Sequence, residues 1–541
     1  MKPITLLFLL SGWLFYRCAE PTSNNEELFK QASVNGLVAK EGYARSLHFV
    51  KGWMDKRDSV SGLIPENLTR GIDTWNAHNS AADNYAFMVL TAFMTDKNLY
   101  NTVMADMLKA ERALTSRIDG MPDDYSFSKQ GFLRDSADMA RIIFGTSEYI
   151  KDGLIPLLEY IGPSSPWQGR MVEMLNGLFK HYTVLTRLHE GFRNKAAVEE
   201  VNGEMLQTLC RMYWTTGEQK YLERALIIGD HYLNGAHNPA DLEVLRIRDH
   251  GCEIIGGLSE LYVTLHFVDP GKKKSYQKEL YRLLDRVLEK GRKEDGMFYN
   301  AINPVTGEVV DENVVDNFGY VYNAYYSVYL IDGKQEYKDA VIHAMKPLYK
   351  NYRNFRWEGD SHDGYADAIE SAINLYNRIP DDTLMMWIDS EMQVMFGMQK
   401  EDGIIGGWHG DGNFARTTLM YCLMKSQGTT LQPWNDQVIL GAVLDQNDST
   451  LFITVESGTE WEGKLEFDIA RHKEVMHLPI DYPRINQFPE WFVAKKERMY
   501  TLTEFNSEGS FSKDVSGEEL RQGIDLKLAK GEVKKIKIAL D

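Results

Sequence analysis

Cysteine is scarce, with four residues in a chain of 541, and one of them, Cys18, closes the apolar run at the N-terminus. The other three, Cys210, Cys252 and Cys422, fall in apolar helical stretches without paired spacing, which excludes a disulfide framework and reads as core thiols. Positive charge is also in short supply. Against 78 Asp and Glu stand 60 Lys and Arg, a formal net charge of -18, and a nucleic-acid partner is excluded because phosphates demand basic patches. An acidic small ligand stays open, since the local field in a cleft can oppose the net charge. After the N-terminus no apolar run approaches the roughly 18 residues that span a bilayer. The sequence has no His-Glu-x-x-His, Cys-x-x-Cys, Walker loop or Gly-x-Ser-x-Gly, so zinc peptidase, nucleotide and serine hydrolase chemistry lack their marks. No cofactor and no metal is expected: the run Asp311-Glu312-Asn313 with Asp316 has oxygen ligands suited to calcium but reads first as a solvated loop.

What is present begins with Met1, Lys2 and the apolar run Ile4 to Tyr16, the layout of an export signal over residues 1–18. Cys18 is a candidate lipid anchor of the bacterial lipoprotein kind, although Phe15, Tyr16 and Arg17 depart from the small residues usual there, and the expected location is the periplasm or outer membrane. From Gly36 to Gln427 the apolar period is helical, as in Ile369, Ala372, Ile373 and Tyr376. Helices that end a long loop are predicted to open near Asn79, Arg134, Ala196, Asp249, Asp316, His362 and Asp411, at intervals of roughly 45 to 65 residues. Such a beat is a helical hairpin, and six or seven of them can close into a double ring. The predicted fold is mainly α, an (α/α)6 or (α/α)7 toroid over residues 28–430. Its long loops gather on one face. Three of those loops share the phrase Asp119-Gly120, Asp295-Gly296 and Asp402-Gly403. After Pro433 the period changes to two, predicting an antiparallel β-sandwich-like domain over residues 436–541.

Chemistry-bearing residues concentrate where loops meet the second helices. Asp249, Asp316, Asp363 and Asp411 stand at predicted helix starts and read first as N-caps. His78, His250, His362 and His409 occupy equivalent junctions, which a cap does not explain. Tryptophans with polar neighbours suit the apolar face and hydroxyl rim of a sugar, and Arg246, Arg248 and Arg416 supply planar forks for a carboxylate or sulfate. Two chemistries compete. Hydrolysis needs two carboxyls with separated pKa values, for which Asp83, Glu253, Asp367 and Asp411 are candidates. Elimination from a uronic acid needs the sugar carboxylate neutralised, a base and an acid. For that, Asn79, Arg248, Asn317 and Arg416 would hold the carboxylate, His250, His409 and Tyr320 are the base and acid candidates, Trp75 and Trp408 would stack the sugar, and His78 and Tyr322 complete the binding set.

The hairpins with Asp-Gly loops, the phrases Asp83-Asn84-Tyr85 and Trp408-His409-Gly410-Asp411-Gly412, and the trailing β domain resemble the (α/α) toroid, or six-hairpin, carbohydrate-active enzymes. That group includes unsaturated glucuronyl hydrolases and polysaccharide lyases. More narrowly, the chain resembles the oligosaccharide dehydratases of ulvan degradation, which remove water from a terminal uronic acid and leave a 4,5-unsaturated residue. The resemblance implies an exported carbon–oxygen lyase acting on acidic, uronate-containing oligosaccharides. The alternatives are a glycoside hydrolase on acidic oligosaccharides and a non-catalytic glycan-binding lipoprotein.

Overall fold

Fourteen helices alternate between two layers in the computed structural model, which describes residues 23–181, 197–249, 251–445, 449–507 and 509–540. They are α1 (Ser23–Met54), α2 (77–95), α3 (97–115), α4 (139–161), α5 (Pro166–His181), α6 (Ala197–Thr216), α7 (Gln219–Leu233), α8 (Cys252–Val268), α9 (Pro270–Lys290), α10 (Phe318–Asp332), α11 (Gln335–Met345), α12 (His362–Arg378), α13 (Asp382–Phe396) and α14 (Gly410–Lys425). Each even-numbered helix packs on the next even-numbered one, and α14 returns to α2, so seven inner helices close a ring. The odd-numbered helices lie outside it, giving seven hairpins. The candidate lipid anchor Cys18 and the export segment fall outside the described residues. Among those described, no helix is long and apolar enough to cross a membrane.

The two layers differ in sequence for a physical reason. An outer helix needs one apolar stripe: α9 buries Tyr276, Leu280, Leu283, Leu284 and Val287 and leaves Lys274 and Lys278 to solvent. An inner helix meets neighbours on all sides, and α10 buries every residue from Phe318 to Val328. Each fully buried large apolar side chain contributes about 1.5–3 kcal/mol, and truncating Leu283 to Ala would cost about 2–5 kcal/mol. Small residues let the ring tighten. A Cβ on Gly412 would lie 2.2 Å from the Asp83 carbonyl oxygen, and one on Gly203 2.2 Å from the Glu253 carbonyl carbon, so α14–α2 and α6–α8 pack backbone to backbone.

The long loops lie at the N-terminal ends of the inner helices. In the Asp-Gly turns Gly120, Gly296 and Gly403 adopt φ of 83°, 96° and 86°, a region glycine enters without steric cost. The loops also pair with one another, since their backbone amides need partners: Thr74–Trp75 pairs with Tyr125–Ser126, and Leu245–Arg246 with Tyr299–Ile302. Asp311-Glu312-Asn313 is part of the strand Val309–Val314, and Asp311 accepts the Asn313 amide at 3.0 Å. The aspartates expected as N-caps do not act as such. Side-chain caps on inner helices come from Asn76, Asp138 and Ser361, while α8 and α14 open on Gly251 and His409 with no side-chain cap bond.

After α14 come β1 (Thr430–Gln432), β2 (Val438–Asp445), β3 (Thr450–Ser457), β4 (Trp461–Glu466), β5 (Met499–Asn506), β6 (Gly509–Ser516), β7 (Ile524–Leu528) and β8 (Val533–Leu540). They form two antiparallel sheets, ordered β2-β3-β8-β5-β6 and β7-β4-β1, which share one apolar cluster including Ile453, Leu465, Leu502, Leu526 and Ile538. Helix α1 lies on the larger sheet through β2 and β3. Between β4 and β5 the segment 467–498 leaves the sheets and enters the ring, where Met476, Leu478, Tyr482, Ile485 and Phe488 join the helical core. It is bonded to the inner helices: Tyr482 Oη donates to Glu260 Oε2 at 3.1 Å, Arg484 Nη2 to Glu159 Oε1 at 2.5 Å, and the Asn486 amide to Glu370 Oε1 at 2.8 Å.

Candidate active site

A cavity of about 450 Å³ occupies the loop-side mouth of the ring, and all seven inner helices or the residues just before them contribute to its wall. Two of those helices are locally widened. Residues Ala77–Tyr85 of α2 and Tyr149–Leu154 of α4 are π-helical, an i→i+5 pattern that is rare and concentrates at functional sites. In α2 it places His78, Asn79 and Asp83 together on the cavity wall, and in α4 it carries Asp152 there. Asn486 of the inserted segment completes the wall, its Nδ2 donating to Asp152 Oδ1 at 2.7 Å.

The wall is acidic. It holds ten carboxyl side chains, namely Asp83, Glu148, Asp152, Glu200, Glu204, Asp249, Glu253, Glu358, Asp363 and Asp367, against one guanidinium, Arg416. Arg416 is engaged: its Nη2 donates to Asp367 Oδ1 at 2.6 Å, its Nη1 to Asn413 Oδ1 at 2.9 Å, and its Nε lies 2.7 Å from Glu370 Oε2. Tyr320 Oη closes this network by donating to Glu370 Oε2 at 2.8 Å and Asp367 Oδ1 at 3.2 Å. On the other side Lys151 Nζ is bonded at 2.7 Å to both Asp152 Oδ1 and Glu253 Oε1. Burial opposes its charge, but the two carboxylates outweigh burial and hold its pKa well above the usual lysine value. Gln207 Nε2 donates to Glu253 Oε2 at 2.5 Å.

These surroundings spread the carboxyl pKa values. Asp83 is pushed well above the usual carboxylate range, first by burial and then by Asp152 and Asp363. It is half-buried on the cavity wall and forms no side-chain hydrogen bond among the described residues. Asp363 is likewise raised well above its usual value by burial and by Asp367, although Asn413 Nδ2 donates to it at 2.7 Å. Burial also raises Asp367, but Arg416 pulls it back toward the ionised form. Glu370 is pushed up to about 7, mainly by burial against the opposing pull of Arg416. Glu148 and Glu204 are raised well above their usual values by burial and by neighbouring carboxyls.

Among the residues singled out from sequence, His78, Asn79, Asn317, Tyr320, Trp408, His409 and Arg416 meet in this cavity. His409 Nε2 lies 3.8 Å from Asp363 Oδ2, and its ring stands edge-on to Trp408 at 4.4 Å. Four expectations need correction. Trp75 is 2% exposed in the core and offers no stacking face. Tyr322 is fully buried and donates to the Gly296 carbonyl at 2.5 Å. Arg248 is paired with Glu358 and, at 3.2 Å, with Asp316, so it is not free to hold a substrate carboxylate. Burial and its acidic partners raise the Tyr320 pKa well above the usual tyrosine value, which opposes the base role and leaves that of an acid. His250 lies outside the described residues. Of the hydrolytic candidates, Asp83, Glu253 and Asp367 line the cavity, whereas Asp411 is wholly buried, accepting from Trp53 Nε1 at 3.0 Å and from the Gly406 amide at 2.7 Å, with His362 Nε2 at 3.0 Å.

Sequence reasoning passed over Glu148, Asp152, Glu200, Glu204 and Asn486. The four acids had a signal in the spacing of four between Glu148 and Asp152 and between Glu200 and Glu204, which sets each pair on one face of a helix.

No family model and no curated protein matches the chain. Solved structures similar to it include a family 76 glycoside hydrolase (mannosidase) from Bacteroides thetaiotaomicron VPI-5482, at 11% identity over 71% of this chain and 99% of that one, TM-score 0.39. The α-1,6-mannanase of Salegentibacter sp. HEL1_6 is 12% identical over 70% of this chain and 98% of its own, TM-score 0.39. A sugar epimerase from a ruminal bacterium is 12% identical over 57% and 86%, TM-score 0.38. A D-mannose isomerase is also among the similar structures, at 13% identity over 56% of this chain and 83% of its own, TM-score 0.37.

Elimination from a uronic acid is overturned. Of the groups assigned to hold the sugar carboxylate, Arg248 and Arg416 are engaged by the protein's own acids. The carbon–oxygen lyase reading falls with it.

Proposed function

We propose that the protein is a glycoside hydrolase acting on an uncharged oligosaccharide, with Asp83 as general acid and Asp367 as the ionised partner. The observation that supports this reading is the contrast between the two carboxyls. Asp83 has no hydrogen-bond partner among the described residues and a strongly raised pKa, so it keeps the proton that a departing glycosidic oxygen needs. Asp367 receives a guanidinium N–H from Arg416, which favours its anion against the opposing effect of burial. An anion there activates water or attacks the sugar carbon as acid catalysis breaks the C–O bond. Trp408, half-buried and held edge-on by His362 at 5.0 Å, offers the apolar platform. Asn79 and Asn317 supply amides for sugar hydroxyls; Asn317 Oδ1 is buried with no hydrogen-bond partner.

The test is incubation of purified protein with uncharged oligosaccharides, α-1,6-mannotetrose among them, followed by product mass. Shorter products are expected, and Asp83→Asn should lower turnover by about 10²–10⁴-fold, the usual contribution of a general acid. Full activity in Asp83→Asn would overturn the assignment. Binding without shorter products would favour a glycan-binding module.

A further inference from the structure

We propose that the cavity wall holds a divalent, oxygen-liganded cation between Glu148 on α4 and Glu200 and Glu204 on α6. One carboxylate oxygen from each residue lies within 4.8 Å of the other two. A calcium ion takes oxygen ligands at about 2.3–2.6 Å, so oxygens on opposite sides of it stand about 4.6–5.2 Å apart. Three oxygens within that span of one another can be bridged by one such ion.

A separate observation points to a ligand. Glu204 is 1% exposed, and its Oε2 has no hydrogen-bond partner among the described residues. A buried carboxylate oxygen left without a donor costs about 1–3 kcal/mol or more, and Glu200 lies one helical turn before Glu204 on α6. Neither Glu148 nor Glu204 forms an ion pair among the described residues, and the nearby Lys151 is bonded to Asp152 and Glu253 instead. The donor set is carboxylate only, without nitrogen or sulfur, which selects a hard ion over zinc or copper. Glu148 is the half-exposed member on the cavity side, so an ion bound there would present its remaining positions to water or to sugar hydroxyls.

Binding of the metal alone tests this without reference to hydrolysis, so a positive result with no turnover would overturn only the hydrolytic reading. Full-length protein stripped with chelator is titrated with CaCl2 and with MgCl2 by calorimetry, and its thermal unfolding is followed in parallel. One saturable site per chain is expected, with the apparent Tm rising by about 2–4 °C at a calcium concentration near 100 times Kd. Glu204→Gln should weaken binding at least about tenfold, the loss associated with one poorly replaced ligand. Should Glu204→Gln fail to fold, Glu148→Gln, at the cavity surface, carries the same comparison. No heat and no Tm change up to roughly 10 mM of either ion, beyond the weakest natural calcium sites, would overturn the proposal, as would wild-type binding in both variants.

Discussion

Two clusters of acids face each other across one cavity, and they are built on opposite principles. On the α12–α14 side, Asp367 and Glu370 share Arg416 and the hydroxyl of Tyr320. On the α4–α6 side, Glu148 and Glu204 crowd together with Glu200 and have no ion pair of their own among the described residues. Burial is comparable in the two places, so partners decide the outcome. The first cluster is a fixed network in which charge is balanced and protons have defined owners. The second is held open, its acids raised by mutual repulsion and desolvation. A protein rarely keeps buried carboxyls in that state without a ligand or a proton to relieve them.

Breaking the balanced side should have the largest effect. Arg416→Met leaves two buried carboxyls without their counter-charge, and chemical denaturation should show a loss of about 3–5 kcal/mol. Asp367→Asn keeps the shape and removes the anion; hydrolysis should fall about 10²–10³-fold while the unfolding midpoint moves little, a separation that would fail if Asp367 were merely structural. The unbalanced side should respond with the opposite sign. In the presence of chelator at pH 8, Glu204→Gln removes like-charge repulsion and should raise stability by about 1 kcal/mol; a loss of stability there would erase the contrast between the clusters.

The smallest effect is a slope. Glu370 titrates at about 7 in the folded protein against an ordinary 4.5, so the folded state binds this proton more tightly than the unfolded chain. Its contribution is complete below about pH 4.5 and is lost as pH rises through 7. Between those limits Glu370→Gln should flatten the fall of stability with pH by up to about 1.4 kcal/mol per unit, read from denaturation curves at successive pH values.

The hairpin beat was legible because helical periodicity and Asp-Gly turns are local properties, and inner helices do open at or within a few residues of the predicted positions: His362 itself, Gly410 beside Asp411, Met139 five residues beyond Arg134. Junction residues were legible as a group and illegible one by one. Trp75 and Trp408 look alike in sequence, yet one pairs into a loop sheet and is buried while the other borders the cavity. Arg248 and Arg416 read as free forks because a sequence shows a side chain and not its partner. The elimination chemistry rested on those forks, and it failed when Asp316, Glu358, Asp367 and Glu370 were found beside them. Asn486 could not be anticipated at all: it arrives from beyond β4, more than 300 residues from the Asp152 it touches.

That arrival has a geometric consequence. With the segment around Tyr482 to Phe488 seated inside the ring, the described structure is a cul-de-sac, and whatever enters at the loop mouth must leave by the same opening. A long polymer cannot thread the ring past this segment.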